Sequence, residues 1–199
     1  MENNKYLEGN KVYLRSLNES DFGQIMQKWL NDKEVTYFLS RGSKPGNLQE
    51  LSQEFKNYAF NRDEVVLAIC DVATDEYIGI TGLHSINQIS HHAEFRILVG
   101  SKAHWGQGFG AEATELIIAY GFQILNLQKV WLGVNAENKK AHDSYLRRGF
   151  RVEGLLRKEL FRNGRYYDVV RMSLLQPEYM ETLKQWKTKE KIQKQLGAF

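Results

Sequence analysis

The chain of 199 residues contains one cysteine, Cys70, and only 2 prolines, which excludes an intrachain disulfide scaffold, a multi-cysteine metal site and a disordered chain. Its 27 Lys and Arg against 24 Asp and Glu leave a net charge of +3, which is too small to indicate a nucleic-acid partner. No apolar run approaches the ~18 residues of a membrane span, and the first residues resemble no signal peptide. We therefore expect a cytoplasmic protein with no membrane partner and no metal.

The spacing of apolar residues predicts the elements in chain order. The first half is predicted as a strand at 11–17, a helix from 19 to about 30, a helix at 48–60, and three antiparallel strands at 65–70, 77–86 and 93–99. The second half is predicted as a helix from 111 to about 125, a strand at 130–134, a helix at 139–148 ended by Gly149, strands at 150–161 and 166–174 joined by Asn163-Gly164, and a helix from 177 to about 195. This order indicates an α+β (mixed α/β) domain at 8–176, followed by a helical tail at 177–199.

A glycine-rich motif lies between the strand at 93–99 and the next helix. Glycines at this position let backbone N–H groups converge on an anion, and the helix N-terminus adds favourable partial charge. The motif therefore predicts a diphosphate site made by Trp105, Gly106, Gln107, Gly108, Phe109, Gly110 and Ala111. The same residues fit the dinucleotide fingerprint G-x-G-x-x-G/A, but that motif belongs in a first βα unit, with an acid after the next strand. Here only Glu137 follows, and it comes late.

A second motif runs from Asn138 to Phe150. Asn138 is placed to cap the predicted helix, on which Ala141, Tyr145 and Arg148 share one face. A phenol at this position is a suitable proton donor to a leaving thiolate. An ordinary core aromatic is an equally good interpretation of Tyr145 alone.

The two motifs together resemble the GNAT superfamily of acetyl-CoA-dependent N-acetyltransferases, over about Val12 to Leu175. The family loop reads Q/R-x-x-G-x-G/A, and here Trp105 replaces its first residue. The Trp-Gly-x-Gly form is similar to ribosomal-protein N-terminal acetyltransferases. The segments around 93–97, 120–127 and 149–154 are similar to bacterial spermidine acetyltransferases. The resemblance implies a central mixed, mostly antiparallel sheet of about seven strands flanked by helices.

The resemblance also implies a mechanism. Acetyl-CoA is the co-substrate, and its pantetheine lies between two splayed strands, bonded to the backbone around Ile97 and Val99. Asn138 belongs to the same cofactor site. The amine attacks the thioester directly, and Tyr145 protonates the departing thiolate. Glu94 is the candidate base that keeps the amine neutral.

The acceptor, a small-molecule or peptide amine, stays open. The loop at 38–47 and the strand at 78–84 contain no acids, which disfavours a polyamine. Arg41 and Lys44 suit a negatively charged acceptor, such as an amino-sugar nucleotide or an acidic peptide N-terminus, or are simply solvated. Two further alternatives are a non-catalytic CoA-binding sensor and, from the lysine-rich tail, an RNA-associated protein. A homodimer is compatible with the family.

Overall fold

The computed structural model describes residues 4–39 and 44–197, which fold around one eight-stranded sheet. The strands are β1 (Lys5–Glu8), β2 (Val12–Ser16), β3 (Val65–Asp71), β4 (Tyr77–Asn87), β5 (His92–Val99), β6 (Lys129–Asn135), β7 (Arg151–Arg162) and β8 (Arg165–Leu175). The helices are α1 (Gln24–Asn31), α2 (Leu48–Phe60), α3 (Phe109–Gln123), α4 (Lys139–Leu146), α5 (Gln176–Leu183) and α6 (Lys189–Leu196), with short 3-10 turns at Glu19–Phe22 and Lys102–His104.

The strand order is β1-β2-β3-β4-β5-β6-β8-β7, and every neighbouring pair is antiparallel except β5 and β6. The hairpin of β7 and β8 turns at Asn163 and Gly164, whose φ angles are 50° and 78°. Two positive φ angles suit a two-residue turn that matches the twist of the strands. The expected mixed, mostly antiparallel sheet is confirmed.

Helices cover both faces of the sheet. Helix α3 is buried along almost its whole length and forms the main core with one face of the strands. Helices α1 and α2 build a second cluster on the opposite face, around Met26, Trp29 and Leu51. Because successive side chains of a strand alternate between faces, Phe95 and Ile97 of β5 join the main core, while Leu98 joins the second cluster.

Three elements differ from the sequence predictions. The helix predicted from 19 to about 30 is a 3-10 turn at Glu19–Phe22 followed by α1, because the backbone of Gly23 leaves the helical conformation between them. The sheet has eight strands rather than about seven, because Lys5–Glu8 pairs with β2 through the short turn at Gly9. The tail forms two helices rather than one at 177–195, because the chain between them turns inward. Trp186 and Thr188 lie in that turn and are 6% and 0% exposed. Their burial interrupts the helix between Leu183 and Lys189, and the Trp186 side chain packs in the main core.

The two basic residues that were expected to suit a negatively charged acceptor precede α2 in the sequence. Arg41 lies outside the described residues, and Lys44 is exposed. Within the residues that the structure describes, no helix has the length and apolar character to cross a membrane.

Candidate active site

The parallel strands β5 and β6 separate after a short paired segment. Their pairing covers only His92↔Lys129, Ala93↔Val130 and Glu94↔Trp131. Beyond that point β5 stays bound to β4 as far as Gly79↔Val99, and β6 stays bound to β8 as far as Asn135↔Val169. The sheet is therefore open between 95–99 and 132–135, as the resemblance implied.

The backbone of Ile97 and Val99 faces this opening. The Gly100 N–H donates to Ile78 O on the β4 side at 2.9 Å, and backbone groups of a strand alternate in direction. The alternation turns residues 97 and 99 away from β4. On this open side the Val99 carbonyl accepts a bond from Trp105 Nε1 at 2.8 Å. The remaining polar groups of Ile97 and Val99 have no hydrogen-bond partner among the residues that the structure describes on this side, and they form an open strand edge.

The glycine-rich motif stands at the end of this edge. Gly106 and Gly108 have φ angles of 72° and 91°, and nothing lies within 4 Å of where a Cβ would stand on either. Gly108 is the N-cap of α3, so the N–H groups of the next three residues have no acceptor in the helix. Unpaired N–H groups, open space and the positive end of a buried helix fit a diphosphate.

Residues from the start of β2 support this loop. Lys11 Nζ donates to Gln107 O at 2.8 Å. The buried Glu112 side chain accepts bonds from the N–H groups of Lys11 and Val12 at 2.6 and 3.1 Å. The first turn of α3 is thereby fixed to the sheet. Sequence reasoning missed this support, because the partners lie about a hundred positions apart in the chain.

Tyr145 lies on α4, which Asn138 caps by accepting a bond from Ala141 N at 3.2 Å. The Tyr145 ring packs against Phe95 and Phe150, with centroid distances of 6.0 and 5.9 Å. Burial raises the pKa of Tyr145 to about 12, so the phenol is protonated at neutral pH. Its hydroxyl makes no hydrogen bond to the residues that the structure describes and is available as a donor.

Three carboxylates lie on the α2 side of the sheet near the same opening. Glu94 Oε2 binds Arg96 at 2.7 Å, and the facing residue on β4, His84, contacts Glu64 Oε1 at 3.1 Å. The Tyr58 ring lies against His84, and its hydroxyl donates to Glu54 at 2.6 Å. Burial lowers the pKa of His84, so this histidine is neutral at pH 7, and Arg96 is the positive charge that lies near Glu64 and Glu94.

Strand β5 contacts both the glycine-rich motif and the helix that carries Tyr145. A Cβ on Gly110 would stand 3.1 Å from Val99 Cγ2, and Phe95 contacts Tyr145. Cys70, in contrast, is buried in a separate cluster with Tyr13. Among the described residues, no three His, Cys, Asp or Glu side chains are grouped so that they could hold a metal ion.

An open strand edge that leads to a helix N-terminus suits a long thioester whose amide-containing arm leads to a diphosphate. The combination defines an N-acetyltransferase that depends on acetyl-CoA. The chain belongs to the GNAT family: the family model described as acetyltransferase (GNAT) domain matches residues 11–151.

Relatives agree with this assignment. The spermidine N(1)-acetyltransferase of Escherichia coli (strain K12) is 34% identical over 170 residues, which are 85% of this chain and 88% of that protein. The crystal structure of spermidine N-acetyltransferase from Vibrio cholerae in complex with CoA and spermine has a TM-score of 0.78 and 33% identity, over 85% of this chain and 98% of the other. A dodecameric structure of spermidine N-acetyltransferase from Vibrio cholerae has a TM-score of 0.73 and 34% identity, over 85% and 96%.

Proposed function

We propose that this acetyltransferase transfers the acetyl group of acetyl-CoA to a primary amine of a polyamine. The observation that carries the proposal is the opening beside Ile97 and Val99, with the N–H groups of 106–111 at one end and Tyr145 against its wall. In this assignment the backbone at 97 and 99 holds pantetheine. Trp105 to Ala111 hold the diphosphate, and Asn138 orders the start of α4 beside the cofactor.

In the proposed reaction the neutral amine attacks the thioester carbonyl carbon, and the C–S bond breaks. Tyr145 donates its phenolic proton to the departing thiolate. The amine gives its proton to Glu94, of which Oε2 binds Arg96 while Oε1 makes no hydrogen bond to a described residue. Holding the amine and the thioester together supplies much of the rate enhancement, and a positioned proton donor typically adds ~10²–10⁴-fold.

Two observations support a polyamine. The segments 38–47 and 78–84 contain no acids, but Glu54 on α2 and Glu64 in the turn before β3 lie on the same side of the sheet. Together with Glu94 they place three carboxylates beside one guanidinium, that of Arg96, on the acceptor side, and an excess of separated negative charges suits an extended polycation. The second support is the similarity to spermidine acetyltransferases.

The proposal is tested by thiol release from acetyl-CoA with four acceptors: spermidine, spermine, an amino-sugar nucleotide and a short acidic peptide. We expect turnover with the polyamines. Turnover with only the sugar nucleotide or the peptide would overturn the polyamine assignment and leave the family chemistry intact.

The role of Tyr145 is tested in the same assay. Tyr145→Phe should lower kcat by about 10²-fold and leave the Kd for CoA unchanged. Tyr166→Phe is the matched control, because Tyr166 is 62% exposed on the hairpin. Equal kcat values for both variants would remove Tyr145 from the mechanism.

We also propose that the chain self-associates. The support is the dodecameric relative and the exposed apolar side chains of β7, where Val152, Leu155 and Phe161 are 54%, 53% and 57% exposed. Light scattering after size exclusion tests this, and a monomer at micromolar concentration would contradict it.

A further inference from the structure

A largely buried arginine, Arg148, joins the two helices that carry the site. Its Nε donates to Ala111 O in the first turn of α3 at 3.0 Å. Its Nη1 donates to Ser144 O and Ser144 Oγ on α4 at 2.8 and 3.0 Å. One planar side chain therefore binds the last residue of the glycine motif and the residue before Tyr145.

The guanidinium is held from the other side by Glu115. The Nη2 of Arg148 lies 3.3 Å from Glu115 Oε1, and the side chains are 12% and 9% exposed. The second carboxylate oxygen accepts a bond from Thr188 Oγ1 at 2.6 Å, and Thr188 is fully buried. Thr188 belongs to the turn between α5 and α6, so this network connects the C-terminal tail to α3 and α4.

A buried ion pair by itself is weak evidence of stabilisation, because removing two charges from water costs about as much as their attraction returns. The network is more specific than such a pair. Every polar atom of the Arg148 guanidinium has a partner, and the partners belong to the helix that opens the diphosphate site and to the helix that carries the phenol. The backbone N–H of Arg148 also donates to the backbone oxygen of Tyr145 at 2.9 Å.

We propose that Arg148 is a positioning residue for acetyl transfer. Anchored by Glu115 and Thr188, it fixes α4 against the first turn of α3, so that the Tyr145 phenol is held at the thioester of the bound co-substrate. The inference rests on the proposed function of Tyr145 and deepens it. It also gives the tail an indirect part in catalysis, because Thr188 orients the carboxylate that holds the guanidinium.

A double-mutant cycle tests the proposal, with the polyamine or other acceptor that gives turnover in the panel above. Arg148→Met should lower kcat about tenfold, since a small misplacement of a catalytic group is costly. In the Tyr145→Phe background the same substitution should change kcat less than twofold, because the group it positions is already absent. Arg148→Lys keeps the charge and loses the fork, so it should resemble Arg148→Met.

The tail is tested by Thr188→Val, which removes one hydroxyl at constant volume. We expect kcat to fall about threefold, with the KM for acetyl-CoA unchanged. Gln195→Ala is the matched control in the tail, because Gln195 binds the backbone of Glu8 and no member of the network. It should leave kcat unchanged.

Each outcome decides between the claims. An equal loss for Arg148→Met in both backgrounds would show a general structural role and overturn the positioning proposal alone. A wild-type kcat for Tyr145→Phe would overturn the proton-donor role and the positioning proposal together. If no acceptor gives turnover, amide hydrogen exchange of residues 139–148 tests whether Arg148 fixes α4. We expect lower protection in Arg148→Met, and unchanged protection would overturn the proposal. Should Arg148→Met fail to fold, Glu115→Gln and Thr188→Val complete the same cycle with Tyr145→Phe.

Discussion

Strand β5 meets its two neighbours differently. On the β4 side it is paired from His92 to Val99, and the approach is so close that a Cβ on Gly79 would stand 2.1 Å from Leu98 O. On the β6 side it is paired for three residues and then left open. The closed side supplies a rigid support, and the open side keeps polar backbone groups free for a ligand. A strand edge is ordinarily a liability, so its survival inside a sheet indicates a binding site.

The largest effect is expected from breaking the closed side with Gly79→Val. The new Cβ would meet Leu98 O and Val99 Cα at 2.1 and 3.0 Å, and these are backbone atoms that cannot move without separating the strands. We expect the free energy of unfolding to fall by about 3 kcal/mol, measured by urea denaturation.

The control for that substitution is Gly154→Ala on β7, where nothing lies within 4 Å of the new Cβ. It should change the free energy of unfolding by less than about 0.5 kcal/mol. Similar losses for the two variants would show that close approach is not the reason for glycine at position 79.

Local sequence patterns predicted the elements on the closed side of β5 well. Helix α2 has the predicted bounds of 48 and 60, and the three antiparallel strands that lead to β5 lie within one or two residues of their predicted limits. These elements depend on apolar periodicity and turn residues, which a sequence displays directly. Strand β1 was missed because only Leu7 of its four residues is buried. The tail was predicted as one helix because neither Gly nor Pro marks the turn at Trp186.

The candidate site was less accessible to the same reasoning. The glycine loop and Tyr145 are motifs of contiguous residues and could be found. The contacts that support them could not, since Glu112 with Lys11 and Glu115 with Arg148 and Thr188 join positions far apart in the chain. Nothing in a local pattern distinguishes such buried charges from solvated ones. Glu54 and Glu64 were overlooked for the same reason.

At the open side the next largest effect is expected from Gly108→Ala. Its φ of 91° is a conformation that costs an L residue ~1–2 kcal/mol, although there is room for the methyl group. Realigning the N–H groups of 109–111 should raise the Kd for CoA about tenfold, as followed by calorimetry, because a misdirected donor loses its bond to the diphosphate.

The matched control is Gly164→Ala in the β7–β8 turn, where φ is 78° and the space is equally open. It should cost similar stability and leave the Kd unchanged. If both variants bound CoA with wild-type affinity, the loop would not be the diphosphate site.

A smaller effect is expected from Trp105→Phe, which removes the bond from the indole to Val99 O at the rim of the opening. One neutral hydrogen bond contributes ~0.5–1.5 kcal/mol, so the KM for acetyl-CoA should rise a few-fold while kcat is retained. Trp105→Gln restores a side-chain N–H donor and should recover part of the loss. A wild-type KM for Trp105→Phe would mean that the indole does not order the loop on the strand.

The smallest effect is expected on the pH dependence of stability, through His84. This residue of β4 pairs with Glu94 of β5, and its other charged neighbours are Glu64 and Arg96. Burial lowers its pKa in the folded protein below the value of ~6.5 in the unfolded chain. The unfolded chain therefore binds more protons as the pH falls through that value, and the folded state loses stability. His84→Gln should reduce the loss of unfolding free energy between pH 7.5 and 5.5, whereas Glu64→Gln, which removes the carboxylate that favours the protonated ring, should increase it. An identical pH dependence in all three proteins would mean that His84 has the same pKa in the folded and unfolded states, and that its burial does not make the closed side sensitive to pH.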